Sequence, residues 1–208
     1  MRARWAILNC RIKVILREIS LKNKPPELKI LSSKSTVPVL ITSDREVIDE
    51  SIKIIDWSIN NIKSGKDINL LEAKGNQKIK DLIDQNDNIF KYHLDRYKYS
   101  NRYKSINRKE HHIKAHDILM KWDTLIGKSI EEHQVGWIAG NKESIADWSL
   151  WPFVRQYRSV EPKEFDNDIN LSNLKKWLDY YLDHKLYPLL MKKYSFWEKT
   201  KEDCYFPK

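Results

Sequence analysis

The spacing of hydrophobic residues changes along this chain and predicts two different kinds of structure. Apolar side chains in residues 2–8 have helical spacing, whereas residues 12–19 alternate apolar and charged side chains as a half-buried strand does. Short strands are predicted at residues 37–42 and 46–48, and a helix is predicted at residues 50–60. The first part of the chain is therefore a predicted α/β domain.

Beyond residue 67 the pattern predicts helices alone. Residues 61–67 are polar, contain a glycine and are predicted to link two domains. Ser144, with Asp147 three residues later, is an acidic variant of the capping box and predicts a helix start. The two predicted domains cover residues 1–62 and 70–208. Apolar stripes at helical spacing run through residues 79–97, 113–126, 148–154, 171–181 and 186–194.

The net charge does not indicate a nucleic-acid partner. The charge of +9 is the balance of 38 basic and 29 acidic residues, which are interleaved along the chain rather than clustered. The densest basic stretch, residues 102–114, also contains Asn, Glu and His. We interpret it as a solvated helix face or loop, and we do not expect binding to nucleic acid.

Neither a membrane span nor a metal site is expected from the sequence. No apolar run reaches the roughly 18 residues that a membrane-spanning helix needs, and the N-terminus lacks the cleavage site of a secretory signal. Cys10 and Cys204 lie at opposite ends of the chain and have neither metal-binding nor redox spacing. We therefore expect a cytoplasmic protein with reduced cysteines.

Two short motifs in the first domain carry the functional signal. Val37-Pro38 stands at the start of a predicted strand, where a residue without an N–H group interrupts no ladder. Glu50-Ser51 opens the helix that follows the two short strands. Together with the capping box farther along, this order of motifs resembles the glutathione S-transferase family.

The resemblance implies where glutathione would bind. If the Val37–Pro38 bond is cis, as in the family, the backbone of Val37 can pair with the extended tripeptide as if with another strand. Ser51, at the start of its helix, would hold the γ-glutamyl carboxylate, and Glu50 would hold the α-amine. Lys34 is the candidate partner of the glycyl carboxylate. The implied contacts are Val37, Pro38, Glu50, Ser51 and Lys34, with glutathione as co-substrate and no metal.

Each of these motifs also has a purely structural interpretation. Pro38 alone could terminate an edge strand. Glu50-Ser51 alone could be an ordinary helix start with Ser51 as the cap. Ser144 and Asp147 are interpreted as structural, because a helix cap performs no chemistry.

His112 and His116 are candidate metal ligands, and Cys10 is a candidate nucleophile. The two histidines have the spacing that places two imidazoles on one helix face, as in a zinc site. The sequence ties no third ligand to them, so we interpret them as part of a solvated helix face. A helix dipole lowers the pKa of a thiol at the start of a helix, but Cys10 follows the end of the first helix. We interpret Cys10 as structural.

The resemblance leaves the catalytic residue unknown. In the family, a first strand and the loop after it carry the catalytic Ser, Tyr or Cys, and the sequence shows neither before residues 2–8. The expected fold is thus a thioredoxin-like domain that is truncated at its start, followed by an all-helical domain. The first helix is most similar to that of the bacterial and omega-like branch, in which a Cys-Pro pair opens it. We expect the true start of the protein to lie upstream of Met1.

Two functions remain open. The first is an enzyme, completed by an upstream residue, that transfers glutathione to a small electrophile or uses it to reduce a disulfide. The second is a non-catalytic module of the same fold, used for binding or dimerisation. In either case the resemblance implies a homodimer.

Overall fold

The computed structural model describes residues 1–62 and 75–207, which fall into two compact units. The first unit contains residues 1–62 together with residues 185–207, and the second contains residues 75–184. Most of the predicted linker, and residue 70, where the second domain is predicted to begin, lie outside the described residues. No helix in the described ranges is long and apolar enough to cross a membrane.

The order of elements confirms the predicted fold class, a thioredoxin-like domain combined with a helical domain. The first elements are α1 (Arg2–Asn9), β1 (Val14–Leu16), α2 (Pro26–Leu31), β2 (Leu40–Ile41), β3 (Val47–Ile48) and α3 (Ser51–Asn60). The helices that come next are α4 (Gln77–Asp84), a π-helical segment (Gln85–Phe90), α5 (Lys91–Lys98), α6 (Arg108–His133), α7 (Ile145–Arg158), α8 (Pro162–Asn167) and α9 (Ser172–Leu182). The chain ends with α10 (Tyr187–Met191), α11 (Trp197–Thr200) and β4 (Cys204–Phe206), and short 3-10 turns occupy Ser100–Arg102 and Ile169–Leu171.

The strands of the first unit pair in two separate antiparallel ribbons. β2 pairs with β3, and β1 pairs with β4 so that Val14 lies opposite Phe206. The prediction of helices alone after residue 70 is therefore wrong at β4. A three-residue strand is too short to show a period of two, and its partner lies at the other end of the chain.

Helix α1 packs on α3 and forms the centre of the first unit. Its side chains Trp5 and Ala6, and Ile54, Ile55 and Ile59 of α3, are each at most 1% exposed. These residues lie on the apolar stripes of their helices, which explains why the local pattern predicted both helices correctly.

Several contacts attach the C-terminal segment to this unit. Arg4 of α1 donates a hydrogen bond to Glu18, and its guanidinium lies 5.6 Å from the ring centres of both Tyr194 and Phe206. The backbone N–H of Trp197 donates to the carbonyl of Glu18 at 2.8 Å. Phe206, which is 1% exposed, is the residue of this segment that joins the core beside α1.

In the second unit, the predicted capping box is present at the start of α7. The Ser144 hydroxyl accepts from the N–H of Ala146, and the Asp147 carboxylate accepts from the N–H of Ser144 at 2.9 Å. The same carboxylate is fully buried and also accepts from the N–H of Ile138 and from Nε1 of Trp177, both at 2.9 Å. Asp147 thus joins the start of α7 to the preceding loop and to α9, in agreement with its structural interpretation.

Candidate functional site

Lys34 and Glu50, two of the predicted contacts, form an ion pair in the first unit. Lys34 Nζ lies 2.5 Å from Glu50 Oε1, and Lys53 Nζ lies 3.8 Å from the same oxygen. The hydrogen bond between Lys34 and Glu50 lowers the pKa of the carboxyl and raises the pKa of the amine. Both side chains are open to solvent, which screens the pair and keeps it weak.

Helix α3 begins at Ser51, one residue later than predicted. Glu50 is the N-cap, with an extended backbone and no capping hydrogen bond from its side chain. The alternative in which Ser51 caps the helix is therefore wrong, since Ser51 is already the first helical residue. The backbone of Glu50, which decides this boundary, takes φ −125° and ψ 133°.

The first turn of α3 has unused hydrogen-bond donors. The backbone N–H groups of Ser51, Ile52 and Lys53 donate to no acceptor within residues 1–62 and 75–207, and the first bond of the helix runs from Ile54 to the carbonyl of Glu50. The Ser51 hydroxyl likewise has no partner in that part of the chain. Such a helix start carries partial positive charge and can bind a carboxylate.

The Val37–Pro38 peptide bond is cis, as the resemblance implied. Val37 is 46% exposed. Its backbone N–H and C=O make no hydrogen bond with the described residues. The predicted strand at residues 37–42 is shorter in the structure, because the ladder of β2 starts only at Leu40. The backbone of Val37 is therefore free to pair with an extended ligand.

Only part of the predicted site is joined by direct contacts. Ser32, at the end of α2, donates to Asp49 at 3.0 Å and links the segment before Lys34 to the start of α3. No hydrogen bond or ion pair among the described residues joins Val37 to Glu50 or Ser51. Sequence reasoning missed the link from Ser32 to Asp49, for which neither residue type nor spacing gave a signal.

Neither thiol belongs to the first turn of α1. Cys10 is the C-cap of α1 and is 5% exposed, in keeping with its structural interpretation. Cys204 lies in β4, and both cysteines are free. Residues 1–4, which form the beginning of α1, are Met-Arg-Ala-Arg and carry neither a thiol nor a hydroxyl.

The interpretation of His112 and His116 as a solvated helix face is wrong. Their side chains are only 22% and 23% exposed. His112 Nε2 lies 3.3 Å from Glu164 Oε1, and His116 Nε2 lies 2.5 Å from Asp168 Oδ2. The carboxylates come from residues about fifty positions later, so the sequence could not tie them to the histidines. Within the described ranges, no group of three or more His, Cys, Asp or Glu side chains could hold a metal ion.

Two family models match the chain in sequence order. The model described as the N-terminal domain of glutathione S-transferase matches residues 1–59, and the model of the C-terminal domain matches residues 105–179. Together they cover more than half of the chain. A comparison with curated proteins gives no match.

Solved structures of glutathione transferases have a similar fold. One from Rhodospirillum rubrum is 18% identical, with a TM-score of 0.67 over 93% of this chain and 88% of its own. One of class Gtt2 from Vibrio parahaemolyticus is 15% identical, with a TM-score of 0.69 over 89% of each chain. A family member from Pseudomonas fluorescens with two glutathione bound is 15% identical, with a TM-score of 0.66 over 88% of this chain and 84% of its own.

At these identities the structural likeness shows the fold, and the two domain models show the family. The N-terminal model matches the part of the chain that carries the cis Val37–Pro38 bond. The C-terminal model matches the part that carries the capping box of α7. This chain belongs to the glutathione S-transferase family.

Proposed function

We propose that this protein binds glutathione in its first unit, through Lys34, Val37, Pro38, Glu50 and Ser51. One observation carries the proposal: the backbone of Val37 and the first N–H groups of α3 have no partners among the described residues. Glutathione supplies the missing partners, because it has an extended peptide backbone and a carboxylate at each end.

Each part of the ligand has a matching protein group in this proposal. The cysteinyl residue of glutathione pairs with the backbone N–H and C=O of Val37 as an added strand. The γ-glutamyl carboxylate accepts from the N–H and hydroxyl of Ser51, where the helix dipole favours negative charge. The α-ammonium of the ligand donates to Glu50.

The ion pair between Lys34 and Glu50 supports these assignments. Glutathione carries an ammonium group that can replace Lys34 beside Glu50, and a glycyl carboxylate that can replace Glu50 beside Lys34. An exposed ion pair is weak because water and salt screen it, so exchange of partners is not prevented. On this view, ligand binding separates the two side chains.

The reaction we propose is transfer of glutathione to a small electrophile, or reduction of a disulfide by glutathione. In transfer, the glutathione thiol loses its proton and its sulfur forms a bond to carbon, while the bond from that carbon to a leaving group breaks and the leaving group departs with the electron pair. In reduction, two glutathione thiols are oxidised to one glutathione disulfide while the substrate disulfide becomes two thiols. Either reaction is faster when the glutathione thiol is held as thiolate.

A non-catalytic module for binding or dimerisation is the second candidate. For both candidates we propose a homodimer in the cytoplasm, where Cys10 and Cys204 stay reduced.

The site assignment predicts the effect of Ser51→Ala. Loss of a hydrogen bond to a charged group costs roughly 1.5–3 kcal/mol, so glutathione affinity is expected to fall about ten- to a hundredfold. Isothermal titration calorimetry and retention on immobilised glutathione measure the change. Ser43→Ala, in the turn between β2 and β3, is the matched control and is expected to bind as the wild type does.

Turnover distinguishes the two candidate functions once binding has been measured. The enzyme releases a conjugate or glutathione disulfide at a rate that saturates with glutathione, whereas the binding module retains glutathione without turnover. Equal retention of the wild type and of a Glu50→Ala/Ser51→Ala double variant would contradict the site itself, whichever function holds.

A further inference from the structure

The second unit contains a small pocket that the glutathione site does not use. The space inside it is about 10 Å³, roughly what one small polar molecule needs, and it opens to solvent between the end of α5, the start of α6, the end of α7 and α8. Its walls combine two tyrosines, Tyr97 and Tyr157, with the histidines and carboxylates described above. All of its residues belong to the second unit, so the pocket shares no residue with the proposed glutathione site and does not depend on it.

Tyr157 contributes an unused polar group to this pocket. The residue is 4% exposed, and its hydroxyl is buried without a hydrogen-bond partner among the described residues. Its ring stacks on His112, with ring centres 5.8 Å apart and planes 18° apart. A buried hydroxyl without a partner costs free energy, so the pocket favours any molecule that can bond to it.

The charges around the pocket are mainly negative. The guanidinium of Arg108 lies 2.6 Å from Glu161 and balances its negative charge, and His116 contacts the carboxylate of Asp168. Glu164 is paired with neither a lysine nor an arginine in the described part of the chain and contacts only the imidazole of His112 among basic groups. An anion would meet three carboxylates here, whereas a cation would meet at least one that lacks a full counter-charge.

Titration behaviour agrees with this distribution of charge. A hydrogen bond between Glu161 and Glu164 raises the pKa of Glu164, because the two carboxyl groups compete for one proton. Burial, together with the carboxylates of Glu164 and Asp168, raises the pKa of Tyr157, whose hydroxyl therefore stays protonated.

We propose that this pocket binds a small primary ammonium group, held between the Tyr157 hydroxyl and the carboxylates of Glu164 and Asp168. The three N–H bonds of an ammonium can serve these three acceptors, all of which line the pocket. The ligand class is an amine that is narrow at its charged end, because the space available is small.

Methylammonium chloride is the probe, added to the 208-residue protein at constant ionic strength and followed by NMR of the histidine ring signals. The expected result is a saturable shift of the His112 and His116 signals. Tetramethylammonium has the same charge but no N–H donor, and it is expected to give no saturable shift, as is sodium.

The variants test which groups are responsible. Tyr157→Phe and Glu164→Gln are each expected to weaken methylammonium binding by about tenfold or more. Tyr180→Phe, a change of the same kind at a tyrosine that is 46% exposed in the same unit, is expected to leave binding unchanged. Equal shifts with sodium or tetramethylammonium, or unchanged binding in both Tyr157→Phe and Glu164→Gln, would overturn the proposal and leave the hydroxyl as a site for water. Because Glu164 is largely exposed, Glu164→Gln remains informative even if Tyr157→Phe is poorly folded.

Discussion

Phe206→Ala is expected to lower the free energy of unfolding by about 3–5 kcal/mol, the usual cost of removing a buried phenylalanine ring. Phe206 is 1% exposed although it lies close to the last residue of the sequence, Lys208. It is paired with Val14 across the β1–β4 ribbon, and its ring lies 6.2 Å from that of Tyr194. The substitution leaves a cavity under α1 that the short β4 strand cannot close.

The neighbouring residue provides the control for this prediction. Tyr205 is 45% exposed on the opposite face of β4 and meets mainly the amine of Lys13, 4.5 Å from its ring centre. Tyr205→Ala is therefore expected to cost about 1 kcal/mol or less. Urea denaturation measures both values, and hydrogen exchange of α1 assigns the loss to the first unit. Equal losses for the two variants would contradict a core position for the C-terminal strand.

Asp147→Asn is expected to destabilise the second unit. Each carboxylate oxygen accepts two donors: Oδ1 accepts from Ile138 and Trp177, and Oδ2 accepts from the N–H and hydroxyl of Ser144. An amide replaces one oxygen by an NH₂ group. In the orientation that costs least, this group replaces Oδ2, where the N–H of Ser144 loses its acceptor while the Ser144 hydroxyl can turn and accept. At about 1–3 kcal/mol for a donor that loses its acceptor, the expected loss is roughly 1–3 kcal/mol.

Asp117→Asn is the matched control for Asp147→Asn. Asp117 is an exposed residue of α6, so the same chemical change is expected to alter stability by about 0.5 kcal/mol or less. The midpoint of urea denaturation compares the two variants directly. If Asp147→Asn unfolds at the wild-type midpoint, the carboxylate does not hold the start of α7 as described.

Local sequence patterns predicted the elements that are stabilised by residues close in sequence. The apolar stripes of α1 and α3 and the capping box of α7 depend on residues within a few positions, and all three are confirmed. The pairing of β1 with β4 and the contact of His116 with Asp168 were not predictable. Both join residues that are far apart in sequence, and their partners carry no short-range signal.

The candidate site also combines features that the sequence predicted with features that it could not predict. The positions of the Val37-Pro38 and Glu50-Ser51 motifs follow from the sequence and its resemblance to the family. The ion pair of Lys34 with Glu50 does not, because it depends on the path of residues 32–37 between α2 and β2. The shift of the helix start from Glu50 to Ser51 is a matter of one pair of backbone angles, which residue type alone leaves undetermined.

The most direct test of the glutathione site is an NMR titration of ¹⁵N-labelled protein with reduced glutathione, compared with cysteinylglycine. The proposed site predicts saturable shifts of the Val37, Ser51 and Ile52 amides with glutathione. Cysteinylglycine lacks the γ-glutamyl group, so it is expected to shift Val37 weakly and to leave Ser51 and Ile52 unchanged. Shifts that bypass Val37 and the first turn of α3, or no saturable shift with glutathione, would contradict the proposed site.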